Sequence, residues 1–117
     1  NKQPVFVRMH SDSEIEDDAA EKIEAFKRRR LNREPVSKII GTRGFWRLDF
    51  KVTQDVLDPR PDSETLIEEI LKRKTDKTAA LKILDLGTGS GCLALSLLSE
   101  YLNASAIGAD SSEKALQ

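Results

Sequence analysis

The sequence contains few of the cysteine and histidine residues that disulfide-bonded and metal-binding domains require. Among 117 residues there is one cysteine, Cys92, and one histidine, His10. A single cysteine cannot form an internal disulfide or supply a cysteine-based zinc cluster, and a lone histidine gives no support for a metal site. These absences exclude a stapled secreted scaffold and favour a protein of a reducing compartment that uses no metal.

Long apolar runs and an excess of charge of either sign are also missing. No stretch approaches the roughly 18 consecutive apolar residues of a membrane-spanning helix, and the polar N-terminus lacks the hydrophobic region of a secretory signal. Lys plus Arg number 19 against 20 for Asp plus Glu, which gives a net charge of −1. Because nucleic acid and anionic lipid attract basic proteins, we expect a cytoplasmic protein that binds neither membrane nor, directly, nucleic acid.

The length and composition predict one ordinary folded domain. Charged residues make up 33% of the chain and apolar residues 38%, which is typical of soluble globular domains and leaves no room for two complete ones. The chain begins at Asn1 without an initiator methionine and ends at Gln117, in what looks like the first turn of a helix. We expect it to be a piece of a longer protein.

The N-terminal third predicts one amphipathic helix after a loose segment, residues 1–12. Ser11 and Ser13 are each followed three residues later by a glutamate, the spacing of a capping box, so the helix is expected to begin there and to run to about Leu31. Its apolar stripe consists of Ile15, Ala19, Ile23 and Phe26. The basic run Lys27–Arg30 is typical of a solvated helix end, with contact to RNA or to an acidic partner protein as the alternative.

The middle of the chain predicts a short helix, a strand and a second amphipathic helix. Pro35 starts the short helix and Gly41 ends it. From Trp46 the residues alternate between apolar and polar, which predicts a half-buried strand whose inner face carries Trp46. Residues 53–61 are expected to return as a second strand or to form an extended arm, and Asp62 opens the next helix.

The C-terminal third predicts one strand–loop–helix–strand unit. An apolar strand over 81–86 is followed by the glycine-rich loop Gly87–Gly91, a helix over 92–101 and a strand over 104–109. A right-handed crossover places the two strands parallel in an open sheet. The fold class is therefore α/β.

The chemically informative motif is Asp-x-Gly-x-Gly-x-Gly, which runs from Asp85 to Gly91. Glycines at a strand-to-helix turn let a ligand approach the backbone and the free N–H groups of the following helix, as an adenosine-containing cofactor requires. A dinucleotide fingerprint would need its third glycine where Cys92 stands, which weakens that interpretation, and a phosphate-binding P-loop would need a lysine that the loop lacks. The alternative interpretation of the loop is a tight turn that binds no ligand.

This motif resembles the S-adenosylmethionine (AdoMet) loop of class I methyltransferases. A second carboxylate, Asp110, ends the following strand, where it can accept hydrogen bonds from both ribose hydroxyls. The resemblance implies that Asp85 faces the amino group of the methionine part, and that AdoMet is the cofactor. The implied cofactor-binding residues are Asp85, Gly87, Thr88, Gly89, Ser90, Gly91 and Asp110.

Three segments before the loop extend the resemblance to the HemK/PrmC family. They are Arg33-Glu34-Pro35-Val36 to Gly41, then Phe45-Trp46-x-Leu48, then Val56-Leu57-Asp58-Pro59-Arg60-Pro61-Asp62-Ser63-Glu64. Members of this family methylate the glutamine amide of the Gly-Gly-Gln motif in peptide chain release factors. The resemblance implies the end of an N-terminal helical domain over 1–41, a β-hairpin and linker over 42–61, and the start of an AdoMet-binding, Rossmann-like methyltransferase domain over 62–117.

Arg60 and Phe45 are further candidates for contact with the cofactor or substrate, with a structural ion pair as the alternative role for Arg60. Asp58 stands where many family members have an aliphatic residue. Cys92 is expected to act as a small buried hydrophobe and not as a nucleophile, since no histidine accompanies it.

One departure from the family bears on catalysis. The family's catalytic signature, Asn-Pro-Pro-Tyr, does not occur in this sequence, so no catalytic residue is assigned and the chain alone is expected not to transfer methyl groups. Two other functions stay open, a nucleic-acid amine methyltransferase and a non-catalytic module that docks a partner protein. Unpaired sheet edges also predict self-association.

Overall fold

The computed structural model describes residues 4–116 and shows a mixed α/β protein that divides into two compact units, with the boundary in the chain between Glu34 and Pro35. The elements in chain order are α1 (Pro4–Met9), α2 (Asp17–Leu31), α3 (Val36–Ile40), β1 (Thr42–Phe45), β2 (Leu48–Lys51), a 3-10 turn (Pro61–Ser63), α4 (Glu64–Arg73), β3 (Lys82–Leu86), α5 (Cys92–Glu100), β4 (Ser105–Ala109) and a second 3-10 turn (Glu113–Leu116). None of the helices within residues 4–116 is long and apolar enough to cross a membrane.

The first unit differs from the sequence prediction at its start. Residues 4–9 form α1 where a loose segment was expected, and residues 1–3 lie outside the described part of the chain. The long helix, α2, begins only at Asp17, after Glu16, and no side chain caps it, so the predicted capping boxes at Ser11 and Ser13 are wrong. The Glu16 carbonyl accepts the first helical hydrogen bonds, and two aspartates in the first turn favour a start here because they face the positive end of the helix dipole.

The predicted apolar stripe of α2 remains accessible. Ile23 and Phe26 are exposed, and no residue of this helix is buried. At its C-terminal end, Arg29 donates two hydrogen bonds to the Glu34 carboxylate, at 2.7 and 2.5 Å, and these bonds raise the pKa of Arg29. Part of the basic run is therefore engaged with an acidic side chain of the same unit.

The strands of the hairpin lie earlier in the chain than the alternation pattern predicted. β1 pairs with β2 in antiparallel register from Thr42 opposite Lys51 to Phe45 opposite Leu48. Trp46 therefore lies in the turn, with a φ of 55°, and not in a strand, and residues 53–60 contain no strand. The turn geometry has a physical cause, because the backbone N–H of Trp46 donates to Glu64 Oε1 at 2.6 Å and this bond holds the tip of the hairpin against the start of α4.

The strand–loop–helix–strand unit of the C-terminal third is confirmed. β3 and β4 are parallel, in register from Lys82 opposite Ser105 to Leu86 opposite Ala109, and α5 connects them. Within residues 4–116 the strands form two separate two-stranded sheets, so the structure shows an α/β arrangement and not a larger sheet. The predicted first turn of a helix at Gln117 falls outside the described residues.

One apolar core joins the hairpin to the two helices that follow it. Its buried members are Phe45, Phe50, Ile67, Leu97 and Tyr101. The Tyr101 hydroxyl is satisfied within this core, because it donates to the Lys74 carbonyl at 2.5 Å. The core therefore fixes the hairpin, α4 and α5 as one body, which in turn positions the glycine-rich loop at the start of α5.

Candidate cofactor-binding site

The glycine-rich loop lies between the end of β3 and the start of α5. Gly87, Gly89 and Gly91 have φ angles of 77°, 54° and 75°. The left-handed backbone at these alternate positions explains why glycine occurs at every second residue of the loop, since other residue types rarely adopt this conformation. A Cβ atom added at Gly87 or Gly89 would meet nothing within 4 Å. The loop backbone thus borders open space at these two positions.

The loop is tied to the neighbouring strand and to the first candidate carboxylate. The backbone N–H groups of Gly87 and Thr88 both donate to the Ala109 carbonyl, at 2.7 and 3.0 Å. The Thr88 hydroxyl donates to Asp85 Oδ2 at 2.9 Å. Since the other Asp85 oxygen takes no part in this bond, Thr88 orients the carboxylate while leaving it able to accept further hydrogen bonds.

The second candidate carboxylate is bound to the same loop. Asp110 Oδ2 accepts the backbone N–H of Gly89 and Oδ1 accepts that of Ser112, both at 2.9 Å. These backbone hydrogen bonds lower the pKa of Asp110, so the side chain is ionised at neutral pH. Each carboxylate oxygen has a second lone pair, which leaves Asp110 able to accept bonds from a ligand.

Two clefts meet at the loop. A small cleft of about 130 Å³ lies between the loop and the extended segment before α4, and it is lined by Leu57, Asp58, Pro59, Arg60, Ser63, Asp85, Gly87, Thr88, Gly89, Ser90, Cys92 and Leu93. A larger one of about 640 Å³ lies between the loop, β2 and the last 3-10 turn. Thr88, Gly89 and Ser90 line both clefts. An elongated ligand that crosses the loop backbone can therefore occupy both sides.

The two further candidates from the sequence have different positions. Arg60 lines the small cleft together with Asp85. Phe45 is only 2% exposed, packs edge-to-face on Phe50 and lines neither cleft. This placement does not support the expected contact between Phe45 and a cofactor, and its cause is the inward-facing register of β1, which directs the ring into the core.

Two further residues, Gly108 and Asp58, belong to the surroundings of the loop and were not assigned a role from the sequence. A Cβ atom at Gly108, in β4, would lie 2.9 Å from Thr88 Oγ1, so glycine at this strand position makes room for the side chain that orients Asp85. A glycine inside a strand often marks such a close approach and was the available signal. Asp58 lines the small cleft, and its Oδ1 atom is buried without a hydrogen-bond partner.

The remaining chemistry around the loop is modest. Burial raises the pKa of the Cys92 thiol, which therefore stays protonated and unreactive at neutral pH, in line with its expected role as a small hydrophobe. Among residues 4–116 no three His, Cys, Asp or Glu side chains are grouped so that they could hold a metal ion. The arrangement suits an organic ligand that offers hydrogen-bond donors to Asp85 and Asp110.

Comparison with known proteins identifies the family. A family model described as the PrmC N-terminal domain matches residues 1–41. The release factor glutamine methyltransferase of Rhodospirillum rubrum is 46% identical over 107 residues, which make up 92% of this chain and 32% of the relative. The protein of the same name from Cereibacter sphaeroides is 42% identical over 113 residues, 97% of this chain and 39% of that relative. Residues 1–41 therefore match the PrmC N-terminal domain, and most of the chain is similar to release factor glutamine methyltransferases.

These matches confirm the resemblance noted in the sequence. The chain spans about a third of the length of the curated relatives that it matches, 32% of one and 39% of another. The matched region of the first relative covers 92% of the chain, so the similarity extends well beyond the 41 residues of the N-terminal family model.

Proposed function

We propose that the glycine-rich loop binds AdoMet and that the protein containing this chain methylates the glutamine side-chain amide of the Gly-Gly-Gln motif in peptide chain release factors. The observation that carries the proposal is the loop itself. Three left-handed glycines lie between β3 and α5, and a carboxylate from the end of each of the two parallel strands is hydrogen-bonded to the loop. The names of the relatives, release factor glutamine methyltransferases, support the choice of substrate.

The residues of the chain supply cofactor binding in this proposal. Asp110 accepts the ribose hydroxyls and Asp85 the methionine amino group, while Gly87 and Gly89 leave room for the cofactor against the backbone. AdoMet supplies an electrophilic methyl group on its sulfonium. In this arrangement residues 62–117 form the start of the AdoMet-binding, Rossmann-like domain, residues 42–61 a hairpin and linker, and residues 1–41 the end of a helical domain.

We further propose that this chain by itself transfers no methyl group. Orientation of the weakly nucleophilic amide nitrogen is the main catalytic contribution for a direct methyl transfer. The resemblance assigns that task to an Asn-Pro-Pro-Tyr sequence, which these residues do not contain. Incubation of the chain with a release factor and methyl-labelled AdoMet is expected to leave the glutamine unlabelled, and labelled glutamine would contradict the proposal.

The proposed setting is the cytoplasm, with a release factor as partner and without direct nucleic-acid binding. The net charge of −1 supports this over a nucleic-acid amine methyltransferase, since neutralising a phosphate backbone requires a basic surface. Exposed apolar side chains on β3 and β4 also support self-association: Leu84, Leu86 and Ile107 are 63%, 74% and 69% exposed. Binding of a release factor without any affinity for AdoMet would favour the non-catalytic docking module.

An amide-resolved NMR titration tests the cofactor assignment. AdoMet is expected to shift the amide signals of Gly87 to Gly91 and Asp110, and NADH, as the control ligand, is expected to leave them unchanged. A matched variant, Gly44→Ala, lies outside both clefts and should respond like the unchanged chain. Shifts with NADH alone would contradict the proposal, and so would the absence of shifts with AdoMet.

A further inference from the structure

The small cleft beside the loop contains a carboxylate oxygen without a partner. Asp58 lies in the extended segment that forms one side of this cleft. Its Oδ1 atom is buried, and no donor among the described residues is within hydrogen-bond distance. A buried anionic oxygen that has lost water and gained no donor costs free energy. This arrangement is expected where a bound molecule supplies the donor.

The two carboxylates of the cleft differ in what they already bind. Asp85 accepts the hydroxyl of Thr88 through Oδ2, whereas Asp58 Oδ1 accepts nothing. Asp58 is therefore the carboxylate of this cleft that has a buried oxygen without a partner.

The charge of the cleft fits one end of the proposed cofactor. Two carboxylates, Asp58 and Asp85, and one guanidinium, Arg60, give its lining one net negative charge. The methionine end of AdoMet carries an ammonium, a carboxylate and a sulfonium, which together give one net positive charge. The ammonium has three N–H donors and the sulfonium has none, so only the ammonium can satisfy Asp58 Oδ1 through a hydrogen bond.

We propose that Asp58 contacts the cofactor directly and accepts a hydrogen bond from its α-ammonium group, beside Asp85. The inference rests on the proposed AdoMet function and names a second carboxylate for the same end of the ligand. With Asp58 and Asp85 sharing the three ammonium donors, the cleft selects cofactors that carry a free amino group over nucleosides that lack one. Arg60 is then the cation available to the ligand carboxylate.

Calorimetric titration of Asp58→Asn with three ligands tests this assignment. AdoMet and S-adenosylhomocysteine both carry the ammonium, whereas 5′-methylthioadenosine lacks the whole amino-acid part. The variant keeps the size of the side chain and removes its charge. We expect about 10- to 100-fold weaker binding of the first two ligands, the effect of losing a charged hydrogen bond, and unchanged binding of the third.

The matched control is Asp62→Asn. This exposed aspartate belongs to the same segment but does not line the small cleft, so the same loss of charge should leave all three affinities unchanged. An equal loss for 5′-methylthioadenosine in Asp58→Asn would show that Asp58 supports the fold, and would overturn the proposal.

Two other results would also overturn it. Unchanged AdoMet affinity in Asp58→Asn would mean that the carboxylate makes no contact, while the proposed function would stand. Weaker binding of AdoMet but not of S-adenosylhomocysteine would mean that Asp58 faces the sulfonium and not the ammonium. If the unchanged chain binds no AdoMet, the proposed function itself fails, and this inference fails with it.

Discussion

The indole N–H of Trp46 donates to Glu100 Oε1 at 2.7 Å, and this hydrogen bond joins the tip of the hairpin to the last residue of α5. Lys77 Nζ pairs with the other oxygen of the same carboxylate at 3.3 Å and lies over the ring of Tyr101. Glu100 therefore connects the hairpin, the linker before β3 and the helix that carries the glycine-rich loop at its start.

Trp46→Phe should destabilise the Pro35–Leu116 region. The ring remains able to pack, but the donor to Glu100 is lost, and removing one partner of a part-buried hydrogen bond costs about 1–2 kcal/mol. Urea denaturation measures the free energy of unfolding. Leu102→Ala is the control, since Leu102 is 87% exposed and its truncation should have little effect. Equal stability of Trp46→Phe and the unchanged chain would show that the bond contributes nothing.

The contribution of Glu100 to stability should depend on pH. The Trp46 hydrogen bond, followed by the hydrogen bond and charge of Lys77, holds the pKa of Glu100 below its ordinary value of 4.5. A carboxyl whose pKa is lower in the folded state stabilises the fold above its unfolded pKa, and this stabilisation is lost as the pH falls through the folded pKa. The unfolding free energy of the unchanged chain should therefore exceed that of Glu100→Gln near neutral pH.

The difference between these two chains should shrink as the pH falls below 4.5. Urea denaturation at a series of pH values measures it. A difference that stays constant down to the acid limit of folding would mean that the ionised form of Glu100 is not the one that stabilises the hairpin contact.

Gly108→Ala should destabilise the loop region. The added Cβ would lie 2.9 Å from Thr88 Oγ1 and 3.0 Å from Thr88 Cγ2, distances at which something must move, and overpacking of this kind costs about 1–3 kcal/mol. Gly44→Ala is the matched control in a strand, because its Cβ would meet only Asp49 Oδ1, at 3.5 Å. If the two variants unfold at the same urea concentration, the close approach of Thr88 to Gly108 does not constrain the loop.

Thr88→Val should lower the affinity for AdoMet. Valine keeps the shape of threonine but cannot donate to Asp85 Oδ2, so the carboxylate loses its orientation toward the cleft. We expect about tenfold weaker binding, consistent with the loss of one hydrogen bond to a charged group. Thr88→Ser retains the hydroxyl and should bind normally. Calorimetric titration with AdoMet measures the affinity of both variants. Equal affinities of Thr88→Val and Thr88→Ser would exclude an orienting role for Thr88.

Local patterns in the sequence were sufficient for the C-terminal half of the fold. Alternation, apolar runs and three glycines at every second position depend on neighbouring residues alone, so β3, the loop, α5 and β4 could be predicted together with the pairing of the two strands. The left-handed backbone of the loop could also be predicted, because glycine adopts positive φ angles, such as that of Gly89, more readily than other residues.

The features that the sequence did not predict correctly depend on contacts with residues that are distant in the chain. Alternation from Trp46 is equally compatible with a strand that begins there or with a turn, and the choice is made by Glu64 and Glu100, which bind Trp46 from 18 and 54 residues away. Phe45 resembled a residue of the cofactor site but packs on Phe50 in the core. Likewise, Asp58 Oδ1 becomes buried without a hydrogen-bond partner only when the segment around it folds against the glycine-rich loop.

Backbone conformation, periodicity and the α/β class therefore follow from residue types and their spacing, because these preferences are local. The hairpin tip, the burial of Phe45, the room that Gly108 leaves for Thr88 and the two clefts around the loop arise from packing between segments far apart in the chain. Such contacts depend on which surfaces meet and exclude water, and the order of residues does not specify that directly.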